Sequence, residues 1–176
     1  MSLAITIKTK PTTRRTSISF NRLNSIEIPS VLSIEEQNSD DPWSQLQFTT
    51  SIENSNNLCY CRSLNGKTIG YLIAMLTLDT ADILNIGIDP DFKRQGYGTD
   101  LLNHLIEEFR KRKIGEIFLE VRAGNKSAIQ FYKRQGFEEI SVRKNYYTIN
   151  SNNCSQREDG IIMGIEIPKF KNNNVL

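Results

Sequence analysis

Two β-rich arms around a tight turn dominate the hydrophobic pattern of the first half of the chain. They span residues 58–78 and enclose Asn65-Gly66, a dipeptide that is the strongest short-range signal of a β-hairpin. Apolar positions resume over residues 81–89 after a further turn. The pattern therefore predicts three consecutive antiparallel strands.

The segment before this hairpin predicts one strand and two helices. Residues 16–24 favour a first strand, and residues 29–39 favour a short helix for which Ser30 is a candidate N-cap. A second helix is expected after Pro42 and Trp43.

From Thr99 onward the apolar positions follow a helical period. They are Leu101, Leu102, Leu105, Ile106 and Phe109. The basic residues 110–113 suit the negative end of a helix, and Gly115 is the expected stop.

The remaining pattern predicts a strand at 116–122 and a helix within 124–136, with Asn125 as N-cap and Gly136 as C-cap. Two final strands are expected at 137–149 and 159–167, joined by a polar loop over residues 150–159. This mixed order of elements predicts an α+β domain, with helices flanking a central mixed and mostly antiparallel sheet.

Length and charge narrow the classes of protein. The 176 residues suit one domain, placed at 16–168, with a flexible basic extension at 1–15 and a tail at 169–176. The extension is rich in arginine and threonine and lacks acids, so a transit peptide is an alternative. A net charge of +2 does not favour direct nucleic-acid binding, and the sequence contains no apolar run that predicts a membrane partner.

Cysteine and histidine usage argues against a metal site. The single histidine, His104, is expected at the surface, and sites or triads that need a second histidine are excluded. Cys59, Cys61 and Cys154 are interpreted as free thiols in a reducing compartment. We therefore expect no metal.

The stretch KRQGYGTDLL, residues 93–102, places two glycines between a basic run and the start of a helix. Unpaired backbone N–H groups and a partial positive charge at a helix start bind anions, and Lys93 and Arg94 add full charges. The Walker pattern is absent, and Leu101 stands where a dinucleotide fingerprint needs a third glycine. The turn thus predicts a phosphate site, and a turn that merely starts a helix is the alternative.

Longer motifs carry a resemblance to a known family. IGIDPDFKRQGYGTDLLNHL resembles the acetyl-CoA loop of the GNAT acyltransferases, and LEVRAGNKSAIQFYKRQGF resembles the second half of their fold. Together with DPW, SAIQFYKRQGFEEISVRKNYY and REDGIIMGI, these motifs are similar to those of the ribosomal-protein alanine N-acetyltransferases. The resemblance covers roughly residues 20–167.

This resemblance implies acetyl-CoA as cosubstrate and names its binding residues. The glycine turn would hold the pyrophosphate through backbone N–H groups, and the preceding strand would pair with the pantetheine arm. The implied residues are Ile86, Gly87, Ile88, Lys93, Arg94, Gln95, Gly96, Tyr97, Gly98, Thr99 and Asn125. Gly87 independently indicates a bulge or the close approach of a ligand, because glycine inside a strand often marks one or the other.

Two residues match the catalytic positions of the family. Glu120 corresponds to the general base, and its alternative is a salt bridge with Arg122 or another cation. Tyr132 corresponds to the general acid that protonates the departing thiolate, and its alternative is a core aromatic residue. Direct transfer in a ternary complex, with no covalent enzyme intermediate, is the expected mechanism.

A peptide groove is the expected acceptor site. Its candidate residues are Trp43, Tyr146, Tyr147, Glu158 and Asp159. Aromatic residues would form a wall for an extended N-terminus and acids would suit a basic peptide, whereas ordinary sheet packing and solvated loop acids are the alternatives.

The expected function is acetylation of a protein N-terminus, namely the N-terminal alanine of a small-subunit ribosomal protein. Other amines, such as lysines or small amines, are an alternative acceptor class, and a non-catalytic CoA-binding module is a further alternative. The expected location is the cytoplasm, with an organelle stroma as the alternative.

Overall fold

The computed structural model describes residues 17–151 and 154–168, and describes residues 149–151, 154 and 155 by their backbone alone. The predicted extension at 1–15 and the predicted tail at 169–176 lie outside the described residues. A seven-stranded sheet flanked by four α-helices confirms the predicted α+β class.

The strands follow chain order across the sheet except for the last two. The strands are β1 (Ile18–Arg22), β2 (Asn57–Leu64), β3 (Lys67–Thr77), β4 (Thr80–Ile88), β5 (Glu116–Arg122), β6 (Glu138–Ser151) and β7 (Cys154–Glu166). The helices are α1 (Ile28–Glu36), α2 (Gln45–Glu53), α3 (Tyr97–Lys111) and α4 (Lys126–Arg134), with a short 3-10 turn at Pro90–Phe92. The spatial order is β1-β2-β3-β4-β5-β7-β6, and β4 and β5 form the one parallel pair among these strands.

The sheet opens between β4 and β5. Their pairing covers only Thr80–Ile83 against Glu116–Leu119. On its other side, β4 contains a bulge, because Ala74 of β3 pairs with Ile83 while the preceding Ile73 pairs with Asn85, so that Leu84 is the extra residue. Beyond Leu84 the strand leaves β5, and a cleft forms where the sheet splits.

Alternate residues of the central strands supply two cores on opposite faces of the sheet. Leu72 and Ala74 of β3 pack with the apolar stripe of α3, which includes Leu102 and Phe109. Residues of opposite parity, such as Ile73, pack beneath α1 and α2 on the other face. The predicted helical stripe of α3 is thus confirmed as a core-facing stripe.

Helix ends agree with the predictions at α4 and differ elsewhere. The Asn125 side chain accepts a hydrogen bond from the Ala128 N–H (3.0 Å), and Gly136 follows α4 with a φ of 92°. The prediction that Ser30 caps α1 is wrong, because Glu27 occupies the N-cap and Ser30 lies inside the helix. The left-handed residue after α3 is Lys113 (φ 61°) rather than Gly115.

The predicted polar loop over residues 150–159 is also wrong in extent. Strand β7 begins at Cys154, and its polar residues pair with β6, with Glu158 opposite Tyr147. Cross-strand hydrogen bonds extend the hairpin through a segment that hydrophobicity alone marks as a loop.

His104 is half-buried rather than at the surface, since its ring stacks on Phe20 at 4.4 Å between centroids. Cys59 and Cys61 are buried free thiols, whereas the side chain of Cys154 lies outside the described set. Within residues 17–151 and 154–168, no helix has the length and apolar character needed to cross a membrane.

Candidate active site

A cleft of about 690 Å³ lies where β4 and β5 separate. Its walls come from β4, the turn before α3, β5, α4 and the connection between α1 and α2. Most residues singled out from the sequence meet here. They are Trp43, Ile86, Gly87, Ile88, Lys93, Arg94, Gly96, Gly98, Thr99, Glu120, Asn125, Tyr132 and Tyr147.

The register of β4 determines which of its backbone groups face the cleft. The Asp89 N–H donates to the Ile69 carbonyl (2.9 Å). Because antiparallel strands bond each other at every second residue, Gly87 bonds back to β3, while Ile86 and Ile88 turn their N–H and C=O groups toward the open side. The Ile88 carbonyl accepts a hydrogen bond from the Asn38 side chain (3.0 Å), so the Ile86 N–H and C=O and the Ile88 N–H are left for a ligand that extends the sheet.

Gly87 has a packing reason that the sequence did not reveal, and because it also lines the cleft, the close approach of a ligand stays a prediction. The ring of Tyr71 lies against it, and a Cβ at this position would come 2.5 Å from the Tyr71 Cε1 atom. The bulge of β4 lies at Leu84 instead. Glycine at 87 is therefore explained by the packing of Tyr71 on the α1 face of the sheet.

The glycine turn forms the start of α3. Gly96 is the N-cap residue with a φ of 90°, and its carbonyl accepts the Asp100 N–H (3.0 Å). The N–H groups of the first helical turn have no partner within the helix, so they are available to an anion beside Lys93 and Arg94. Such a turn suits a pyrophosphate.

Two residues of this turn point their side chains elsewhere. The Gln95 amide donates to the Asp91 carbonyl (3.0 Å). The Tyr97 ring packs on Phe92 and beneath the guanidinium of Arg62 (5.2 Å). Neither Gln95 nor Tyr97 lines the cleft, so each can contribute only through its backbone.

Glu120 lies on the face of β5 opposite to Leu119 and Val121, as the alternation predicts. Its carboxylate is 22% exposed and lies 2.7 Å from the guanidinium of Arg143. The predicted alternative of a salt bridge is therefore present, with Arg143 rather than Arg122 as the cation. Burial, followed by the hydrogen bond to Glu120, raises the pKa of Tyr147, so this phenol stays protonated beside the carboxylate.

Tyr132, on α4, is buried in the hydrophobic core and still lines the cleft. Its ring packs between Phe131 and Phe137, with centroid separations of 5.2 and 5.6 Å. Burial raises the pKa of its hydroxyl well above the ordinary value of 10.0. A phenol in this setting remains neutral and is able to donate a proton.

Three of the five predicted groove residues lie outside the cleft. Tyr146 packs against the Arg143 guanidinium (3.5 Å). Glu158 pairs with Arg122 (3.2 Å) and accepts the Gly124 N–H.

Asp159 is the third predicted groove residue that lies outside the cleft. It pairs with the Lys144 ammonium (2.8 Å) and accepts the Asn145 N–H (2.9 Å). The carboxylates of Glu158 and Asp159 thus hold the β6–β7 hairpin and the turn before α4.

Glu35, Asn38 and Asn85 are among the polar residues of the cleft that sequence reasoning missed. Glu35 precedes Glu36 in an ordinary helical segment, and Asn85 lies among apolar residues of β4. Asn85 gave a weak signal in the sequence. It is a polar residue inside an apolar strand, and a buried amide without hydrogen-bond partners is costly.

The split sheet, the glycine turn at the start of α3 and the cleft between β4 and β5, lined by both Glu120 and Tyr132, are the arrangement expected of an acetyltransferase of the GNAT type. Residues 28–137 match the acetyltransferase (GNAT) family. The [ribosomal protein bS18]-alanine N-acetyltransferase of Escherichia coli (strain K12) is 38% identical over 148 residues, which are 84% of this chain and 97% of that protein. The chain belongs to the ribosomal-protein alanine N-acetyltransferases of the GNAT family.

Solved structures agree with this assignment. The crystal structure of the ribosomal-protein-S18-alanine N-acetyltransferase from Escherichia coli superposes with a TM-score of 0.79 at 36% identity, covering 91% of this chain and 99% of that one. Arabidopsis thaliana NAA60 in complex with acetyl-CoA has the same fold, with a TM-score of 0.75 at 18% identity over 86% of this chain and 99% of that one. Membership of the GNAT family makes the chain an acetyltransferase with acetyl-CoA as its cosubstrate.

Proposed function

We propose that this enzyme acetylates the N-terminal alanine of a small-subunit ribosomal protein, the counterpart of bS18. The observation that carries the proposal is the 38% identity to a bS18-alanine N-acetyltransferase along 97% of the length of that relative. A ribosomal acceptor requires the compartment that holds the ribosomes, for which the cytoplasm is the first expectation and an organelle stroma the second.

Glu120 is the proposed general base. An N-terminal ammonium has a pKa of roughly 8, so it must lose a proton before its nitrogen attacks the thioester carbon. Glu120 takes this proton, directly or through a water molecule, and Arg143 at 2.7 Å keeps the carboxylate oriented. The half-buried position of Glu120 at the cleft supports this role.

Tyr132 is the proposed general acid. When the carbon–sulfur bond breaks, the nitrogen loses its second proton to solvent, and Tyr132 gives its hydroxyl proton to the thiolate and regains a proton from solvent. The neutral Tyr132 hydroxyl carries that proton before the step. The N–H groups that β4 turns toward the open side support the thioester carbonyl as its oxygen becomes negative.

Only two of the five residues predicted for the peptide groove line the cleft. Trp43 and Tyr147 line it and are the proposed walls for an extended N-terminus. Glu158 and Asp159 are engaged in their own ion pairs, so we do not assign them to the recognition of a basic peptide.

A peptide panel tests the proposal. The purified enzyme is mixed with acetyl-CoA and with peptides that begin with Ala, Ser or Met, an N-blocked peptide with an internal lysine, and a polyamine, and thiol release is followed. Release with Ala-starting peptides is the expected result. Release with lysine or polyamine alone contradicts it, and a raised melting temperature with acetyl-CoA but no release with any acceptor indicates a binding module.

Substitutions test the two catalytic assignments in the same assay. Glu120→Gln and Tyr132→Phe should each lower kcat by roughly a hundredfold or more, a loss typical for a proton-transfer group. Glu116→Gln, on the same strand and outside the cleft, is the matched control for the base and should be near wild type. Retained turnover in the Glu120→Gln, Tyr132→Phe double variant would refute the mechanism.

A further inference from the structure

A buried carboxylate on the acceptor side of the cleft has no place in the mechanism above. Glu35 lies near the end of α1, is 5% exposed and lines the cleft. One of its oxygens accepts the Trp43 backbone N–H (3.0 Å) and the Asn85 side-chain amide (3.2 Å). The other accepts the Tyr71 hydroxyl.

These contacts replace the cation that such a carboxylate usually requires. No lysine, arginine or histidine of the described residues pairs with Glu35. An unpaired buried charge is costly, so hydrogen bonds from three different elements must hold it. A side chain with three such bonds fixes the elements that donate them.

Two of the three donors lie on the two walls between which an acceptor would enter. Trp43 belongs to the connection between α1 and α2, and Asn85 belongs to β4, directly before the Ile86 backbone groups that face the cleft. A second tie joins the same walls, since Asn38 donates to the Ile88 carbonyl (3.0 Å). The separation of the acceptor wall from β4 therefore depends on Glu35.

We infer that Glu35 is a positioning residue that fixes the Trp43 wall against β4 and so sets the acceptor side of the cleft. This inference rests on the proposed function, because it concerns the binding of the acceptor peptide. Glu35 makes none of its hydrogen bonds with the pyrophosphate turn at the start of α3, so the phosphate contacts of acetyl-CoA do not depend on it.

The Glu35→Gln substitution distinguishes a role that depends on hydrogen bonds from a role that depends on the negative charge. A glutamine oxygen at 35 is able to accept both the Trp43 N–H and the Asn85 amide, while its NH2 group donates to the Tyr71 oxygen. The Tyr71 hydroxyl hydrogen is then free to serve the Asn85 oxygen, which lies 3.2 Å away. All three partners, Trp43, Tyr71 and Asn85, stay bonded although the charge is gone.

The experiment compares Glu35→Gln and Glu35→Ala with wild type, with Glu36→Ala on the exposed neighbour as the control. KM and kcat are measured for an Ala-starting peptide and for acetyl-CoA. Glu35→Gln should stay within about threefold of wild type, whereas Glu35→Ala should raise the peptide KM by roughly tenfold and leave the acetyl-CoA KM within about threefold. An inactive but folded Glu35→Gln variant, or an unchanged peptide KM in Glu35→Ala, would overturn the inference.

Two further variants cover the case in which Glu35→Ala does not fold. Tyr71→Phe and Asn85→Ala each remove one hydrogen bond to Glu35, and both should raise the peptide KM. If neither does, the inference is wrong.

Trp43 gives a readout that is independent of turnover. It is the single tryptophan of the chain, and its ring packs on Phe48 at 5.5 Å. Its fluorescence emission should shift to longer wavelength in Glu35→Ala and stay in place in Glu35→Gln. If wild type acetylates no N-terminal peptide, the proposed function fails, and this emission shift alone decides whether Glu35 positions the wall.

Discussion

The carboxylate of Glu120 on β5 reaches the guanidinium of Arg143 on β6 at 2.7 Å, across the intervening strand β7. Gly160 of β7 pairs with Arg143 in the register and leaves the gap through which the two side chains meet. A Cβ at this position would lie 3.1 Å from a Glu120 oxygen and 3.3 Å from the Tyr147 ring. The orientation of the proposed base thus depends on a glycine in a neighbouring strand.

Gly160→Ala should lower kcat/KM for the peptide by roughly tenfold, because the added methyl group displaces the Glu120 carboxylate by a few tenths of an ångström. The melting temperature and the acetyl-CoA KM should change little. Steady-state kinetics with both substrates measure the split. Wild-type kcat/KM in Gly160→Ala would show that the placement of the base tolerates this shift.

Tyr132→Phe should impair turnover by the same factor from about pH 6.5 to about pH 9. Burial raises the pKa of Tyr132, so its hydroxyl remains protonated over the whole interval and its contribution does not titrate. The measurement is the ratio of wild-type to variant kcat across pH. Tyr146→Phe, outside the cleft, is the control, and a ratio that falls toward one at the alkaline end would contradict the assignment.

Gly87→Ala should destabilise the fold by about 1–3 kcal/mol, the range for overpacking a core. The added Cβ would meet the Tyr71 ring at 2.5 Å, and this ring is fully buried. Urea unfolding measures the change. Gly115→Ala is the matched control, since its nearest neighbour would be 3.8 Å away, and equal losses in the two variants would refute the packing explanation.

Removal of the two partners of the Arg62–Asp100 pair should have unequal costs. Arg62 is buried between the rings of Phe20 (4.3 Å) and Tyr97 (5.2 Å), whereas half of the Asp100 side chain is exposed at 2.6 Å from it. Asp100→Ala leaves a buried charge unpaired and should cost about 2–3 kcal/mol. Arg62→Met leaves a hydrated carboxylate and should cost about 1 kcal/mol or less.

Urea unfolding of both single variants and of the double variant gives the coupling energy of this pair. The double variant should be more stable than Asp100→Ala. Equal costs for the two single variants would show that the guanidinium reaches water.

The buried thiols should make stability fall at alkaline pH. Burial raises the pKa of Cys59 and of Cys61 to about 11, from an ordinary value of 9.0. The unfolded thiols ionise above pH 9 while the folded ones do not, so the free energy of unfolding should decline as pH rises from 9 toward 11. A Cys59→Ala, Cys61→Ala variant should show a shallower decline in urea unfolding between about pH 9 and 10.

Local periodicity determined the elements that carry the site. The alternation over residues 116–122 placed Glu120 opposite the core-facing residues, and the helical stripe after Thr99 placed the glycine turn at the start of α3. Asn125 and Gly136 marked both ends of α4. These features depend on neighbours in the sequence, so the sequence alone was sufficient to predict them.

Long-range contacts decided which polar residues face the cleft. Glu158 and Asp159 have cationic partners that are distant in sequence, and these partners hold their carboxylates outside the cleft. Glu35 meets Tyr71 and Asn85 only after three elements have packed, and Gly87 is required by a ring sixteen positions earlier in the chain. Hydrophobic pattern sets the face of each element, whereas register and packing set its partners, and only the tertiary structure decided the latter.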